Sequence, residues 1–365
     1  MHLIKLIDLN CTIKYLMSSY KKYEGGFLYT RSGVMTRYST AYGVQLAYLL
    51  NCLHLLDRDK IINFLKSEQD STTGLFYDSC CKNRNESYSI EYNLLSLTFF
   101  SLISLDMLEE KPVFELAFLE EFKNINLLNK WLLEREKEDF WYASNLIMFV
   151  LYFFAYDQKY RNNNNNKYVT SILDYLDEKQ DSQTGYWITK KTSDLEHALY
   201  GAAHIYFFYN YFNREINFKE RIIDNTIKFQ NQYGLFGDKY GGACEDYNGI
   251  EVLTSLSKKT NYKRDLVTQT LKNSYKAIAK NRNRDGGFSY YIDNRDFLRR
   301  LKKKYFTKRS VFYEESCNTM KSDPFYQSDM WSTYFRSLAL AKIEHFQEYL
   351  IQRDYRFYDL PGWGH

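Results

Sequence analysis

The stretch KSEQDSTTGLF, at residues 66–76, decides the fold because it returns as DEKQDSQTGYW at residues 177–187. In both copies a segment of mixed polar and apolar residues leads to Gln, Asp and Thr, which are followed by a glycine and then an aromatic residue. About twice the usual interval separates Gly74 from Gly185, and DFW at 139–141 occupies the place of a degenerate turn. Related turns recur at intervals of about 50 residues, as GGF (25–27), YGLFG (233–237) and DGGF (285–288). The spacing predicts six repeated units.

Each unit combines two segments of different character. The segments before the turns, such as IINFLKSEQD and ILDYLDEKQD, have the pattern of amphipathic helices, which suits an outer position. The segments after the turns are apolar on nearly all sides, as expected of helices that pack on both sides. These inner segments are 39–50, 88–103, 142–156, 197–212, 246–256 and 332–343. Six outer and six inner helices predict an all-α fold, an α/α toroid, as a single domain over residues 1–365.

The composition agrees with a helical globular protein. Only 3 of 365 residues are proline, and turn-rich β folds rarely contain so few. The formal net charge of +4 gives no electrostatic basis for binding nucleic acid. The most apolar stretches are shorter than the roughly 20 residues that span a bilayer, and no signal peptide is evident. Because the 6 cysteines are scattered, as in reduced proteins, we expect a cytoplasmic protein without a membrane span.

Aromatic residues make up 18% of the chain. Either an aromatic-lined cavity or AT-rich coding explains this share, and the run of asparagines at 162–166 makes the second explanation a real one. In a toroid the inner helices begin around a common mouth, so the polar residues at their starts are expected to surround a cavity. These residues are Ser39, Thr40, Glu91, Asn145, Asp194, His197, Glu245, Asp246 and Asp329. For Ser39, Asp194 and Asp329 the alternative is a helix N-cap.

The turns and inner helices resemble the repeats of protein prenyltransferase β subunits and squalene-type terpenoid cyclases. RYSTAYGVQLAYLL (37–50) is similar to their Pro-Thr-Tyr-Ala-Ala helix, and SDLEHALYGAAH (193–204) to their Asp-Val-Arg-Ser-Ala-Tyr-Cys-Ala-Ala segment. The resemblance covers residues 25–343 and implies a toroid that acts on an isoprenoid or similarly apolar small molecule. Since prenyltransferase β subunits work with a helical partner, it also leaves a protein partner open.

The resemblance does not extend to the zinc site of the prenyltransferases. Their ligands are an Asp-x-Cys pair and a later His in an Asp-x-x-His-Thr segment. The corresponding stretches here are CEDY (244–247) and DMWST (329–333), so the Cys and Asp are reversed and Ser332 replaces the His. Because a hydroxyl is a poor zinc ligand in such a site, we expect no metal and no cofactor.

The Asp-x-Asp-Asp acid motif of the protonating cyclases is also missing. The nearest pair is Glu245 and Asp246, which helical geometry directs about 100° apart. They follow Gly241 and Gly242, whose flexibility allows a tightly turned mouth. We expect Asp246 to be the catalytic acid, with Glu245 beside it and Tyr247 contacting the substrate. The alternative for Asp246 is a carboxylate that stabilises the helix N-terminus.

Asp194 and His197 form a second candidate pair. They are three residues apart on one helix, so the imidazole can approach the carboxylate and act as a general base. His204 follows on the same face, where a buried, hydrogen-bonded histidine is the simpler interpretation.

The remaining candidates lie on the second and sixth inner helices. Asp329 is a catalytic candidate, and Glu91, Trp331 and Arg336 are candidates for substrate binding. Because Arg336 lies in an apolar helix, it needs an anionic partner, which is either Asp329 or a substrate group.

The sixth unit carries an insertion at about 289–327. About 40 residues separate Phe288 from Asp329, whereas the other units use about ten to fifteen. The insertion contains RRLKKKYFTKR (299–309), which begins with Arg299 and Arg300. We expect a basic flap over the mouth that binds an anionic group. The alternative is a solvated loop.

Three functions follow from these observations. The first is a terpenoid cyclase-like or prenyltransferase-like enzyme that uses Asp246 as a general acid in an aromatic cavity. The second is a carbohydrate-active α/α barrel, a hydrolase, lyase or epimerase, that acts on an acidic sugar through Asp246 or Glu245 with His197 or a tyrosine. The third is a noncatalytic toroid that binds a peptide or a partner subunit.

Overall fold

The computed structural model of the protein describes residues 8–80, 89–192, 194–292, 313–314, 320–347 and 354–365. These residues contain twelve α-helices that alternate along the chain between an outer and an inner position. The outer helices are α1 (Leu9–Ser19), α3 (Arg58–Lys66), α5 (Ile125–Arg135), α7 (Asn166–Lys179), α9 (Lys219–Phe229) and α11 (Arg264–Lys280). The inner helices are α2 (Arg37–Leu49), α4 (Ile90–Met107), α6 (Phe140–Arg161), α8 (Leu195–Tyr211), α10 (Ala243–Leu256) and α12 (Met330–Phe346).

The inner helices form a closed ring. Each packs against the next in chain order, and α12 packs back against α2. In α6 every residue from 143 to 157 is buried, whereas the outer helix α3 buries only Ile61, Ile62 and Leu65. The α/α toroid predicted from the repeats is therefore confirmed.

Short elements connect the helices. Two 3-10 helices occur at Leu53–Leu55 and Ala117–Phe122. The strands β1 (Tyr20–Lys21) and β2 (Gly26–Phe27) pair antiparallel, as do β3 (Tyr313–Glu314) and β4 (Lys321–Ser322). No described helix is long and apolar enough to cross a membrane.

The repeated turn owes its sequence to local hydrogen bonds. Asp70 accepts hydrogen bonds from the backbone N–H (2.7 Å) and hydroxyl (2.8 Å) of Thr73, and the Gln69 amide donates to the carbonyl of Gly74 at 3.0 Å. Asp181, Thr184, Gln180 and Gly185 repeat this arrangement in the second copy. At Gly74, φ is 78° and an added Cβ would lie 1.9 Å from the carbonyl oxygen of Glu115, so only glycine fits.

The DFW segment at 139–141 is not a turn of this kind. It contains no glycine; instead, the Asp139 carboxylate accepts a hydrogen bond from the Trp141 N–H at 2.9 Å and caps α6. Phe140 and Trp141 are therefore the first residues of the helix. The third unit has no glycine–aromatic turn at this point, because the capping carboxylate starts the helix directly.

The six inner helices begin at the same end of the ring, which is the mouth. The Tyr142 hydroxyl of α6 donates to Ser89, the N-cap of α4, at 2.8 Å. On the other side, Asp139 lies 3.1 Å from His197 of α8. The insertion returns to this end, where the Ser322 hydroxyl donates to Asp329 at 3.0 Å.

Residues 354–365 are here called the plug segment, and within it Tyr358 and residues 360–364 are buried. Its Arg356 N–H donates to the carbonyl of Leu49, at the far end of α2 from the mouth, at 3.1 Å. From there the segment runs into the ring, and Trp363 is only 4% exposed. The plug segment therefore enters at the end opposite the mouth and fills part of the ring interior.

Candidate functional site

Glu245 lies at the mouth in a cluster of polar groups. Its carboxylate accepts hydrogen bonds from the Tyr290 hydroxyl at 2.9 Å and from the Cys244 thiol at 3.1 Å. The carboxylate folds back over Gly242, where an added Cβ would lie 2.0 Å from Oε2. The glycine therefore makes this position of the carboxylate sterically accessible, and Glu245 stays half-buried.

A second carboxylate, Glu196 of α8, belongs to the same end of the ring. The Tyr200 hydroxyl donates to it at 3.4 Å, and burial, reinforced by the negative charge of Asp194, raises the pKa of Glu196. Burial and the neighbouring Glu245 raise the pKa of Tyr200 as well, so the phenol stays protonated. Glu196, Tyr200 and Tyr290 were not among the residues predicted from the sequence. The spacing of Glu196 and Tyr200, four residues apart on one helix, was the available signal.

His197 pairs with a carboxylate other than the one predicted. Its Nδ1 lies 3.1 Å from Oδ1 of Asp139, across the boundary between α8 and α6. Asp194 instead caps α8 through the backbone N–H of His197, at 2.9 Å. The prediction that the His197 ring approaches Asp194 is wrong, because the carboxylate turns back to satisfy the helix N-terminus. The ring of Trp141 packs edge-on against His197 at 5.1 Å.

Asp246 is fully buried and forms an ion pair with Arg336 of α12. Oδ2 of Asp246 lies 2.5 Å from Nη1 of Arg336, and Oδ1 accepts a hydrogen bond from the Phe236 N–H at 2.7 Å. Arg336 also donates to the backbone carbonyls of Ser289 and Tyr290. Neither expected partner of Arg336, Asp329 or a substrate, is needed to explain its burial. Burial raises the pKa of Asp246 to about 6, although Arg336 opposes the change.

The repeats explain the place of Asp246. In three other units a threonine hydroxyl accepts a hydrogen bond from the N–H of the turn phenylalanine, at 3.0 to 3.1 Å. These threonines are Thr40, Thr98 and Thr333. In the fifth unit the Asp246 carboxylate accepts the corresponding hydrogen bond, from the N–H of Phe236, so it faces the turn that precedes α10.

Asp329 is the other fully buried carboxyl group at the mouth. It caps α12, accepting hydrogen bonds from the backbone N–H of Ser332 at 2.7 Å and from the hydroxyls of Ser332 and Ser322 at 2.9 and 3.0 Å. Burial raises the pKa of Asp329 to about 6, although these donors stabilise the ionised form. The N-cap alternative is therefore confirmed for Asp329, as it is for Asp194. Both the backbone N–H and the hydroxyl of Ser332 donate hydrogen bonds to Asp329.

The remaining predicted residues are not gathered in one pocket. Glu91 accepts hydrogen bonds from Trp131 at 2.8 Å and Arg135 at 3.3 Å, both on the outer helix α5. The expectation that Glu91 faces the central cavity is wrong, because these two donors draw its carboxylate outward. Arg299 and Arg300 lie outside the described residues, so the basic flap stays a prediction.

Aromatic rings line the interior of the ring. Trp331 packs against Tyr42 at 5.0 Å and against Phe335 at 4.3 Å. Tyr42 also contacts Phe100 edge-on at 4.9 Å. Tyr247 joins this wall through its contact with Phe335 at 5.5 Å. Trp331 and Tyr247 therefore belong to the aromatic wall of the ring interior, and their binding of a substrate stays a prediction.

His204 is buried in the same interior. Its Nδ1 lies 2.9 Å from the Ser144 hydroxyl, and burial lowers the pKa of His204 to about 3. The ring is therefore neutral, in agreement with the interpretation of His204 as a buried, hydrogen-bonded residue. Among the described residues, no three His, Cys, Asp or Glu side chains are grouped as metal ligands would be.

No protein-family model matches the sequence, and no curated protein matches it either. The structure is similar to that of the type II terpene cyclase MstE from Scytonema in its apo form, with a TM-score of 0.52 and 13% identity over 93% of this chain and 97% of that chain. A variant of MstE in complex with its substrate, geranylgeranyl dihydroxybenzoate, gives a TM-score of 0.53 and 12% identity over the same shares of the two chains.

The chain has the toroid fold of terpenoid cyclases. This confirms the architecture implied by the resemblance of the repeats. At this level of identity the similarity concerns the fold, and the reaction has to be argued from the site.

Proposed function

We propose that the protein is a terpenoid cyclase-like enzyme that accepts an apolar, isoprenoid-like substrate inside its ring of inner helices. One observation carries this proposal: the rings of Phe100, Trp331 and Phe335 surround a buried indole, that of Trp363, at centroid distances of 5.0 to 5.7 Å. A pocket that holds an indole in this way offers π faces to an apolar chain. Such faces also stabilise the positive charge that develops when an alkene is protonated.

A protonating enzyme needs a carboxylic acid that retains a proton near neutral pH. Asp246 and Asp329 both have a raised pKa, but they differ in their partners. Asp246 faces a guanidinium, which is always charged and favours the carboxylate. Asp329 faces hydroxyls and one N–H, and it caps the helix that carries Trp331 and Phe335. We therefore assign the proton to Asp329, with Asp246 holding Arg336 in place.

The cluster at the mouth favours a second candidate function. Two carboxylates, Glu196 and Glu245, lie there with the hydroxyls of Tyr200 and Tyr290. Paired carboxyl groups, one of them with a raised pKa, are the catalytic elements of most glycoside hydrolases. This cluster suits a carbohydrate-active enzyme that binds its substrate at the mouth rather than within the ring.

One experiment separates the two functions. The parent, Asp329→Asn and Glu245→Gln proteins are incubated with geranylgeraniol, geranylgeranyl diphosphate and a panel of acidic oligosaccharides, and products are identified by mass spectrometry. The first function predicts an isoprenoid product that falls about 100-fold or more in Asp329→Asn and persists in Glu245→Gln. A product from an oligosaccharide that is lost in Glu245→Gln supports the second function. Absence of any product from the parent contradicts both and favours a binding protein.

A further inference from the structure

The plug segment, residues 354–365, places the indole of Trp363 in the ring interior. The Trp363 indole contacts Phe99 of α4 at 5.9 Å and Phe335 of α12 at 5.0 Å, and His204 of α8 at 5.6 Å. It therefore touches three inner helices from different sides of the ring. An apolar ligand of the ring interior and this side chain would compete for the same aromatic surface.

Polar contacts of Tyr358 and of His365 hold the plug segment on either side of Trp363. The Tyr358 hydroxyl donates to Oδ2 of Asp106 at 2.6 Å and lies 3.1 Å from the Tyr152 hydroxyl. The carbonyl oxygen of His365 accepts a hydrogen bond from the Lys342 ammonium. Both sites are supplied by inner helices. They are a carboxylate acceptor, Asp106, which also accepts a hydrogen bond from the Tyr160 hydroxyl, and an ammonium donor, Lys342, which also pairs with Glu251 at 3.0 Å.

The backbone of the plug segment is only weakly joined to the ring. Two of its backbone hydrogen bonds are internal, from Tyr358 N–H to the Gly364 carbonyl at 2.6 Å and from His365 N–H to the Gly362 carbonyl at 3.2 Å. Arg356 N–H, near its exposed start, donates to the Leu49 carbonyl of the ring, and the His365 carbonyl accepts from the Lys342 side chain. Residues 354–365 form no helix or strand. The segment can therefore leave without breaking any helical hydrogen bond of the inner ring.

We propose that the plug segment is a displaceable occupant that keeps the aromatic interior closed until an apolar ligand takes its place. This inference rests on the proposed function, because it assigns the regulation of the same site. The contacts also define the ligand. It has an apolar body at the place of Trp363, a hydrogen-bond donor near Asp106 and an acceptor near Lys342. The hydroxyl group of an isoprenoid alcohol can donate a hydrogen bond to the Asp106 carboxylate, whereas this carboxylate repels the negative charge of a diphosphate.

The first test uses no ligand. Native-state hydrogen exchange of the full chain is followed by mass spectrometry for peptides from the plug segment and from α6. We expect amides of 358–365 to exchange through local opening, well before those of α6. If both sets exchange together, the segment is a permanent part of the core and the proposal is overturned.

The second test adds farnesol as the probe. We expect farnesol to speed exchange in the plug segment, and Trp363→Leu to bind farnesol about tenfold tighter or more, since the competing state is weakened. The control is Trp187→Leu, which removes an indole that is also buried but packs against Phe140 and donates to the Leu176 carbonyl. Its farnesol affinity should match that of the parent.

The outcomes distinguish the two proposals. If farnesol binds while the plug segment stays protected, the ligand enters elsewhere and displacement is wrong, although apolar binding stands. If the segment opens locally but neither the parent nor Trp363→Leu binds farnesol, the opening is real and the proposed substrate class is wrong. Equal farnesol affinities of Trp363→Leu and the parent overturn the proposal that Trp363 competes with the ligand.

Discussion

Asp246 and Arg336 join two adjacent inner helices through an ion pair in which neither side chain is exposed. Asp246 occupies the place that a threonine holds in three other repeats. Arg336 follows Thr333 by three residues, as Gly43 follows Thr40 and Ser101 follows Thr98. At these two positions of the repeat, a carboxylate in the fifth unit and a guanidinium in the sixth stand where other units have neutral residues. Their ion pair links the fifth unit to the sixth.

We expect Asp246→Asn to destabilise the protein by about 3 to 5 kcal/mol, because it leaves the buried guanidinium without a counter-charge. The free energy of unfolding in urea measures the effect. The double variant Asp246→Thr/Arg336→Ser restores the neutral residues of the other repeats, so it should lose less stability than Asp246→Asn alone. A double variant that is less stable than the single one would show that the ion pair itself stabilises the ring.

The raised pKa of Asp329 predicts a dependence of stability on pH. The pKa of the Asp329 carboxyl is about 6 in the folded protein, whereas an ordinary aspartate has a pKa of 3.8, so the folded state holds the proton more tightly. The protonated Asp329 carboxyl therefore contributes to the stability of the folded protein below about pH 4, and this contribution is lost as the pH rises to about 6. Asp329→Asn keeps an N-cap residue and stays neutral. We expect the variant to gain up to about 3 kcal/mol relative to the parent between pH 4 and pH 7. A constant difference in unfolding free energy across this range contradicts the prediction.

The glycine turns predict a difference between two alanine variants. Gly74→Ala places a Cβ against the Glu115 carbonyl oxygen at 1.9 Å and also requires a φ of 78°. Gly237→Ala requires a similar φ, 89°, but its Cβ would have no contact closer than 3.4 Å. We expect Gly237→Ala to cost about 1 to 2 kcal/mol from the backbone alone and Gly74→Ala clearly more. Equal shifts of the urea midpoint would show that the loop at Glu115 yields to the methyl group.

The basic run in the insertion remains a prediction that affinity measurements can decide. Replacement of Arg299, Arg300, Lys302, Lys303 and Lys304 by Ala should change stability little, because surface substitutions are usually within about 0.5 kcal/mol each. Affinity for geranylgeranyl diphosphate should fall, and the fall should shrink at high salt as the charges are screened. If the five-site variant binds as tightly as the parent and its limited proteolysis is unchanged by the ligand, the run is a solvated loop.

The sequence alone was enough to predict the ring, because the information that builds each turn is local. The contacts of Asp70 with Thr73 and of Gln69 with Gly74 lie within six residues, so they recur visibly along the chain. The apolar character of the inner helices is local in the same sense. A ring of six units then follows from the six apolar inner segments, although only five of the units have a glycine–aromatic turn.

The partners of the charged residues were decided by the tertiary structure. His197 meets Asp139 and Arg336 meets Asp246, at sequence separations of 58 and 90 residues. Such pairs depend on which faces of neighbouring helices meet in the closed ring, and periodicity does not specify that. The plug segment is the clearest case. Its residues match no repeat, and its place in the interior follows only once the ring has closed around aromatic surface that Trp363 can bury.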